Sequence, residues 1–122
     1  MQFRDILLAT LETTGGAIGA AFLDSEGESV EAVSARPFDT DDHELRVIGA
    51  YAGIFLSKLR RIASSTGSCA AQRYKVDFAG SRIFCSDLRD GYYLVIVADP
   101  GAVEGVVWQG LEECRGALLL EM

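Results

Sequence analysis

Few side chains in this sequence are equipped for chemistry, and their spacing points away from catalysis. The single histidine, His43, follows Asp39-Thr40-Asp41-Asp42 and precedes Glu44. A lone histidine in an acidic helix start supports neither a nucleophile–base triad nor a histidine-cluster metal site. Cys69, Cys85 and Cys114 are odd in number, far apart and free of any C-x-x-C pair, so their spacing carries no zinc signal. They read as reduced, mostly buried thiols. Cys85 falls within a strand-like run with no base beside it in sequence and reads as a small buried hydrophobe rather than a nucleophile. Gly15-Gly16-Ala17-Ile18-Gly19 is glycine-rich but lies between a helix pattern and a strand pattern. A phosphate loop lies between a strand and a helix, and its P-loop form carries a lysine. The stretch therefore reads as a turn. Arg60 and Arg61 raise the idea of an arginine inserted at the phosphates of a partner's nucleotide, but charge matched to a helix dipole is the simpler reading. An exposed Trp108 would be a binding anchor; a tryptophan folded back on a sheet is the commoner arrangement. The expectation is a protein with no catalytic residue, no cofactor and no metal ion, and hence not an enzyme.

Charge narrows the partners. Eleven Lys and Arg stand against 18 Asp and Glu, giving a formal net charge of −7 and a pI near 4.6. Nucleic-acid binding needs clustered cations, and an anionic membrane surface repels such a chain. No run of about 18 apolar residues exists, so no membrane insertion is expected. The first residues lack the basic start, apolar core and small-residue cleavage site of a signal peptide, which gives a cytoplasmic expectation. At 122 residues, 49% hydrophobic and 24% charged, the chain reads as one soluble domain over 1–122.

The elements that must position any functional surface are organised around one stretch, Asp41 to Ala63. It reads as a single helix opened by Asp39, Thr40, Asp41 and Asp42, with Glu44 three residues after Asp41 as in a capping box. Lys58, Arg60 and Arg61 fall in its last turns, and Ser64, Ser65 and Gly67 stop the pattern. Leu45, Ile48, Ala52, Phe55, Leu56, Leu59, Ile62 and Ala63 make one broad stripe; Val47, Tyr51 and Ile54 widen it to an apolar arc of roughly 220°, where about 100° is enough to cover a core. Arg46, Gly53, Ser57, Arg60 and Arg61 occupy the remaining arc. One side covers the helix's own sheet. The other needs a second cover, most simply another copy of the chain.

The rest of the chain supplies the sheet. Gln2 to Thr13 reads as a short helix with Phe3, Ile6, Leu7 and Leu11 on one face, ended by Gly15 and Gly16. Ala17 to Leu23 is apolar on both faces, as in a central strand. Asp24-Ser25-Glu26-Gly27 is a turn, and Ser29 to Ser34 is a more polar edge strand. Arg73 to Phe78 alternates Tyr74, Val76 and Phe78 with Arg73, Lys75 and Asp77, giving a half-exposed strand. Arg82 to Asp87 leads through Asp90-Gly91, a hairpin signal, into Tyr92 to Ala98, apolar on both faces. Val103, Val107, Leu111, Cys114 and Leu118 mark one face of a last helix, whose Gly105, Gly110 and Gly116 suggest close packing on the sheet. The hairpins and the two central strands fit one order, 2-1-5-4-3. The fold class is α+β: a five-stranded antiparallel sheet with the long helix on one face and the terminal helices on the other.

With these pieces in place the chain resembles the roadblock/dynein-light-chain (roadblock/LAMTOR) family over nearly its whole length. The carriers are the opening helix into GAIGAAFLDSEGESV, the long helix ending SKLRRIA, and YKVDFAGSRIFCSDLRDGYYLVIVAD followed by the last helix. These are patterns of residue type, not an invariant catalytic motif. The resemblance implies homo- or heterodimers built through the long helix and the third strand. It also implies binding to small Ras-like GTPases as regulator or scaffold, with bacterial members resembling GTPase-activating partners that position the GTPase's own residues.

Combining residues and resemblance, the expected dimer interface includes Val47, Tyr51, Ile54, Arg73 and Lys75. The expected GTPase contact lies on Ser57, Lys58 and Arg61. Ile54, almost opposite the core stripe, is the position where a charge should weaken a dimer, whereas a charge at Leu59 should unfold the chain. The alternative is a small-ligand sensing module, since PAS-, GAF- and profilin-like domains share this layout. That reading requires a pocket between the long helix and strands 1 and 5.

Overall fold

Two runs of β-branched and small apolar residues form the spine of the sheet. The computed structural model describes residues 2–35, 43–67 and 72–122. Within them the chain order is α1 (Phe3–Thr13), β1 (Ala17–Leu23), β2 (Ser29–Ser34), α2 (His43–Ser65), β3 (Arg73–Asp77), β4 (Arg82–Asp87), β5 (Tyr93–Ala98) and α3 (Glu104–Glu121). β1 and β5 lie side by side, antiparallel, with Ala20 opposite Ile96 and Phe22 opposite Leu94. All of β5 is buried, as a strand covered on both faces should be. The five strands follow the order β2-β1-β5-β4-β3, every pair antiparallel. This is the expected topology, with β2 and β3 at the edges.

Alternation along the strands sends side chains to two separate cores. Ala20, Phe22, Phe84, Leu94 and Ile96 meet Ile6 and Leu7 of α1 and Val107, Leu111, Cys114 and Leu118 of α3. Ala21, Leu23, Cys85, Val95 and Val97, on the opposite face, meet Leu45, Ala52 and Leu56 of α2. The long helix on one face and the terminal helices on the other are as expected.

The turns carry their own signatures. Asp24 Oδ1 accepts the backbone N–H groups of Glu26 (2.9 Å) and Glu28 (3.1 Å), holding the β1–β2 turn. Asp90 and Gly91 have φ of 57° and 81°, the left-handed pair that an Asp-Gly hairpin turn requires. A Cβ on Gly91 would lie 2.7 Å from Ser25 Cβ, so the two turns are packed together at one end of the sheet.

Several expectations need correction. α2 runs to Ser65, two residues beyond the expected end; the cap residues Asp39 to Asp42 lie outside the described residues. Its sheet-facing line is Leu45, Gly49, Ala52 and Leu56. Phe55 and Ile62, assigned to the core stripe, are 46% and 59% exposed. Gly53, assigned to the polar arc, instead faces the sheet: a Cβ there would stand 2.2 Å from Tyr93 Oη. The helix is thus rotated so that two glycines, not two large apolar residues, meet the strands. No basic residue lies in the last turn of α2. Its final carbonyls are served instead by Thr66 Oγ1, which donates to Ile62 (3.0 Å) and Ala63 (3.2 Å), and by Ser65 Oγ, which donates to Ile62 (3.0 Å). Of the α3 glycines, only Gly110 is closely packed, and against Thr14 rather than the sheet; Gly105 and Gly116 face open space.

Candidate functional site

The outward half of α2 is where the fold leaves surface uncovered. Val47, Tyr51, Ile54, Phe55 and Ile62 are all exposed, Tyr51 at 69%. At about 100° per residue they share one side of the helix, next to the sheet-facing line and not mixed with it. Five exposed large apolar residues on one helix side are more than scattered surface hydrophobes.

On one flank this arc descends into a groove of about 470 Å³ between α2 and strands β3 and β4. Val47, Ile48, Tyr51 and Phe55 form its helix wall; Tyr74, Val76, Phe78 and Ile83 form the sheet wall. The two walls of the groove are tied together. Tyr74 Oη donates to the Ala52 carbonyl at 2.6 Å, and its ring lies 5.1 Å from that of Phe55. Burial pushes the Tyr74 hydroxyl well above the ordinary tyrosine range, with Cys85 adding to the shift. Tyr93 Oη donates to the Gly49 carbonyl at 2.9 Å, and burial raises its pKa to about 12. The two phenols therefore stay protonated and pin α2 to the sheet from below.

β3 bounds the groove and pairs only with β4 among the described residues, leaving its other edge open. Its two faces are unlike. Tyr74 and Val76 look into the groove, while Arg73 and Lys75 point to the α3 side. There Arg73 bonds Glu112 at 3.2 Å and stands 4.6 Å from the centre of the Trp108 ring. Lys75 bonds Asp77 at 3.0 Å and Glu104 at 3.2 Å; Arg82 bonds Asp77 at 2.8 Å and Glu104 at 3.3 Å. These bonds hold both carboxyl groups below the usual carboxylate range, Asp77 chiefly through Arg82 and Glu104 chiefly through Lys75. Trp108 is half-buried edge-on against Phe84, with ring centres 4.9 Å apart, so it is folded back on the sheet.

On the other flank of α2 lies a different recess, a polar cleft of about 360 Å³. Ser25, Glu26 and Gly27 of the β1–β2 turn and Gly91 of the β4–β5 turn form one wall. Ser57, Lys58, Arg60 and Arg61 form the other, with Tyr93 between them. Ser57, Lys58 and Arg61, expected as contact residues, are thus brought together in one place. Val47, Tyr51 and Ile54 are brought together on the apolar arc. Arg73 and Lys75 lie on the open strand, but their side chains are engaged by α3. Sequence reasoning missed Phe55, Ile62, Val76 and Phe78 as part of the uncovered surface. The signal was present in the β3 alternation and in the excess width of the α2 stripe.

The chemistry-bearing residues are placed as follows. Cys85 and Cys114 are free and buried, and burial raises their thiol pKa values to about 12 and about 11. Such thiols are protonated and unreactive at neutral pH. Cys69 lies outside the described residues. Among the described residues, no group of three or more His, Cys, Asp or Glu could hold a metal ion. No described helix is long and apolar enough to cross a membrane.

No family model and no curated protein matches the sequence. Solved structures do match. An MglB with a tetrameric arrangement aligns at 19% identity over 97% of this chain and 85% of that one, with a TM-score of 0.84. The gliding protein mglB of Thermus thermophilus aligns at 19% identity over 97% and 86%, TM-score 0.83. A roadblock/LC7 domain from Streptomyces avermitilis aligns at 14% identity over 97% and 95%, TM-score 0.84. The chain has the roadblock/LC7 fold. Within a roadblock/LC7 fold of this kind, the apolar arc of α2, the groove beside it and the open β3 edge form one continuous surface.

Proposed function

We propose that residues 1–122 form one roadblock domain that acts as a non-enzymatic, cytoplasmic homodimer and binds a small Ras-like GTPase as regulator or scaffold. The observation that carries the reading is the uncovered apolar surface running from Val47, Tyr51 and Ile54 across Phe55 to Tyr74 and Val76, bounded by an open strand edge. A second copy related by a twofold axis would cover that surface with its own identical patch and pair β3 with β3. The tetrameric arrangement of one MglB of the same fold supports self-association as a use of this scaffold.

The GTPase half of the proposal rests on the resemblance of the strand and helix patterns to the roadblock family. A partner that brings its own nucleotide and Mg²⁺ needs no phosphate loop or metal site here. Ser57 and Arg61, on the flank of α2 away from the apolar groove, remain accessible in such a dimer and serve as the contact together with Lys58, which stands on the crest between the two recesses. The sensing alternative needs a cavity between α2 and strands β1 and β5; Leu23, Leu45, Leu56, Val95 and Val97 fill that space, each 1% exposed or less.

The test is binding of the purified protein to the Ras-like GTPases of its source organism in each nucleotide state, together with hydrolysis assays. Binding to one of them, with no hydrolysis by this protein alone, is expected. Robust hydrolysis by the protein alone, abolished by a point substitution in it, contradicts the non-enzyme reading. Failure to bind any such GTPase, with tight capture of a small molecule, overturns the proposal.

A further inference from the structure

Resting on that reading, we propose that the polar cleft beside the C-terminal half of α2 is a receptor for an acidic segment of the protein partner. Three of the chain's 11 cationic side chains, Lys58, Arg60 and Arg61, line this one recess, against Glu26 as its single carboxylate. In a chain of net charge −7 the local balance is reversed. Arg60 is partly engaged, with Nη2 3.7 Å from Asp87 Oδ2. Lys58 and Arg61 are exposed and take part in no ion pair among the described residues.

Helix electrostatics do not account for these cations. The dipole effect falls off within the last turn. That turn holds no basic residue, and its carbonyls are bonded by Thr66 and Ser65. Lys58 and Arg61 stand one turn further back, three residues apart and therefore on one face. Ser57 stands beside them on α2, and across the cleft are Ser25 and the close-packed turns at Gly27 and Gly91. A guanidinium and an ammonium with hydroxyl groups between them recognise carboxylates, the guanidinium by a two-pronged bond and the ammonium as a point charge. The cleft lies on the opposite flank of α2 from the apolar groove, so a second copy seated on the groove leaves its far side, with Ser25, Glu26, Arg60 and Arg61, open. Only Ile54 and Lys58, on the crest of the helix, line both recesses.

The test separates this inference from the GTPase reading by using a probe that needs no GTPase. ¹⁵N-labelled protein is titrated with a hexaglutamate peptide, with hexalysine and inorganic phosphate as controls. Hexaglutamate is expected to shift the amides of 25–27, 57–61 and Gly91, and a Lys58→Glu/Arg61→Glu variant that keeps the wild-type spectrum elsewhere should lose those shifts. Absence of shifts, shifts elsewhere, or equal shifts from phosphate overturn an acidic-segment receptor. With any GTPase that binds, the affinity should fall steeply between about 0.1 M and about 1 M salt, as the Debye length shrinks from about 10 Å to about 3 Å. The double charge reversal should weaken it at least about tenfold. Binding that ignores both salt and charge reversal overturns the inference while leaving the GTPase reading intact; no GTPase binding alongside a localised hexaglutamate response does the reverse.

Discussion

The two faces of the sheet are finished to different degrees. Among the described residues, two helices, α1 and α3, cover one face and enclose 16 buried apolar residues with it. On the other face α2 is the one covering helix among the described residues and encloses ten such residues, because a single helix about 10 Å wide cannot span five strands. The strands nearest α2 are covered; β3 and the outer part of β4 are not, and Tyr74, Val76 and Ile83 become the wall of a groove. The helix itself carries apolar residues on the side facing that groove. A closed face explains its own stability. An open face with a matching helix side implies a second body, and the contrast identifies where to look for one.

The closed face is the place to break the fold. Phe84 is fully buried and stacks edge-on with Trp108. Phe84→Ala should cost about 3–5 kcal/mol, read as a lower denaturant midpoint with unchanged slope. A loss below about 1 kcal/mol would mean that this face is not tightly packed.

The next effect tests how α2 is seated. Gly53→Ala places a methyl group 2.2 Å from a Tyr93 hydroxyl that is itself bonded to Gly49. Neither partner can retreat easily, so α2 should lift and stability fall by about 1–3 kcal/mol. A neutral outcome would place α2 further from the sheet than described.

Substitutions on the open side should separate assembly from folding. Tyr51→Glu and Ile54→Glu change side chains that are 69% and 54% exposed. Each should leave the stability of the isolated chain within about 0.5 kcal/mol, measured at dilution where association is absent, while abolishing association at high concentration. If either unfolds the chain, the side is not free.

The smallest effect concerns the ion pairs that tie β3 to α3. Asp77 and Glu104 have folded-state pKa values below their ordinary ones. A carboxyl group of that kind stabilises the fold above its unfolded pKa and loses that contribution as pH falls through its folded value. Glu104→Gln should therefore lower the melting temperature slightly at pH about 7, and the gap from wild type should close below pH about 4. A gap that persists into acid would mean that the pairs do not act in solution.

Strand order and most boundaries were legible because the hairpin turns and the doubly apolar β1 and β5 leave one arrangement open. The rotation of α2 was not. Hydropathy gives weight to Phe55 and Ile62, but the side that meets a sheet closely is set by what lets the backbone approach. Here that is Gly49 and Gly53 over Tyr93, and a glycine carries no apolar signal. The same blindness misread Gly105 and Gly116, which meet nothing. The excess of apolar surface on α2 was readable, since it depends only on the number of such residues around the helix. The polar cleft was not, because it joins residues 25–27 and 91 to 57–61 through the packing of two turns. Its α2 wall alone was visible: Ser57, Lys58 and Arg61 were read as a contact surface, while Lys58, Arg60 and Arg61 were also attributed to a helix end that lies further on.

The central claim, that a second copy covers the open α2–β3 face, is tested most directly by sedimentation equilibrium at micromolar concentration with wild type and Ile54→Glu side by side. Wild type should give twice the chain mass of 13.1 kDa, and Ile54→Glu should give a folded species at 13.1 kDa. A wild-type mass of 13.1 kDa, or a dimer indifferent to Ile54→Glu, would contradict it.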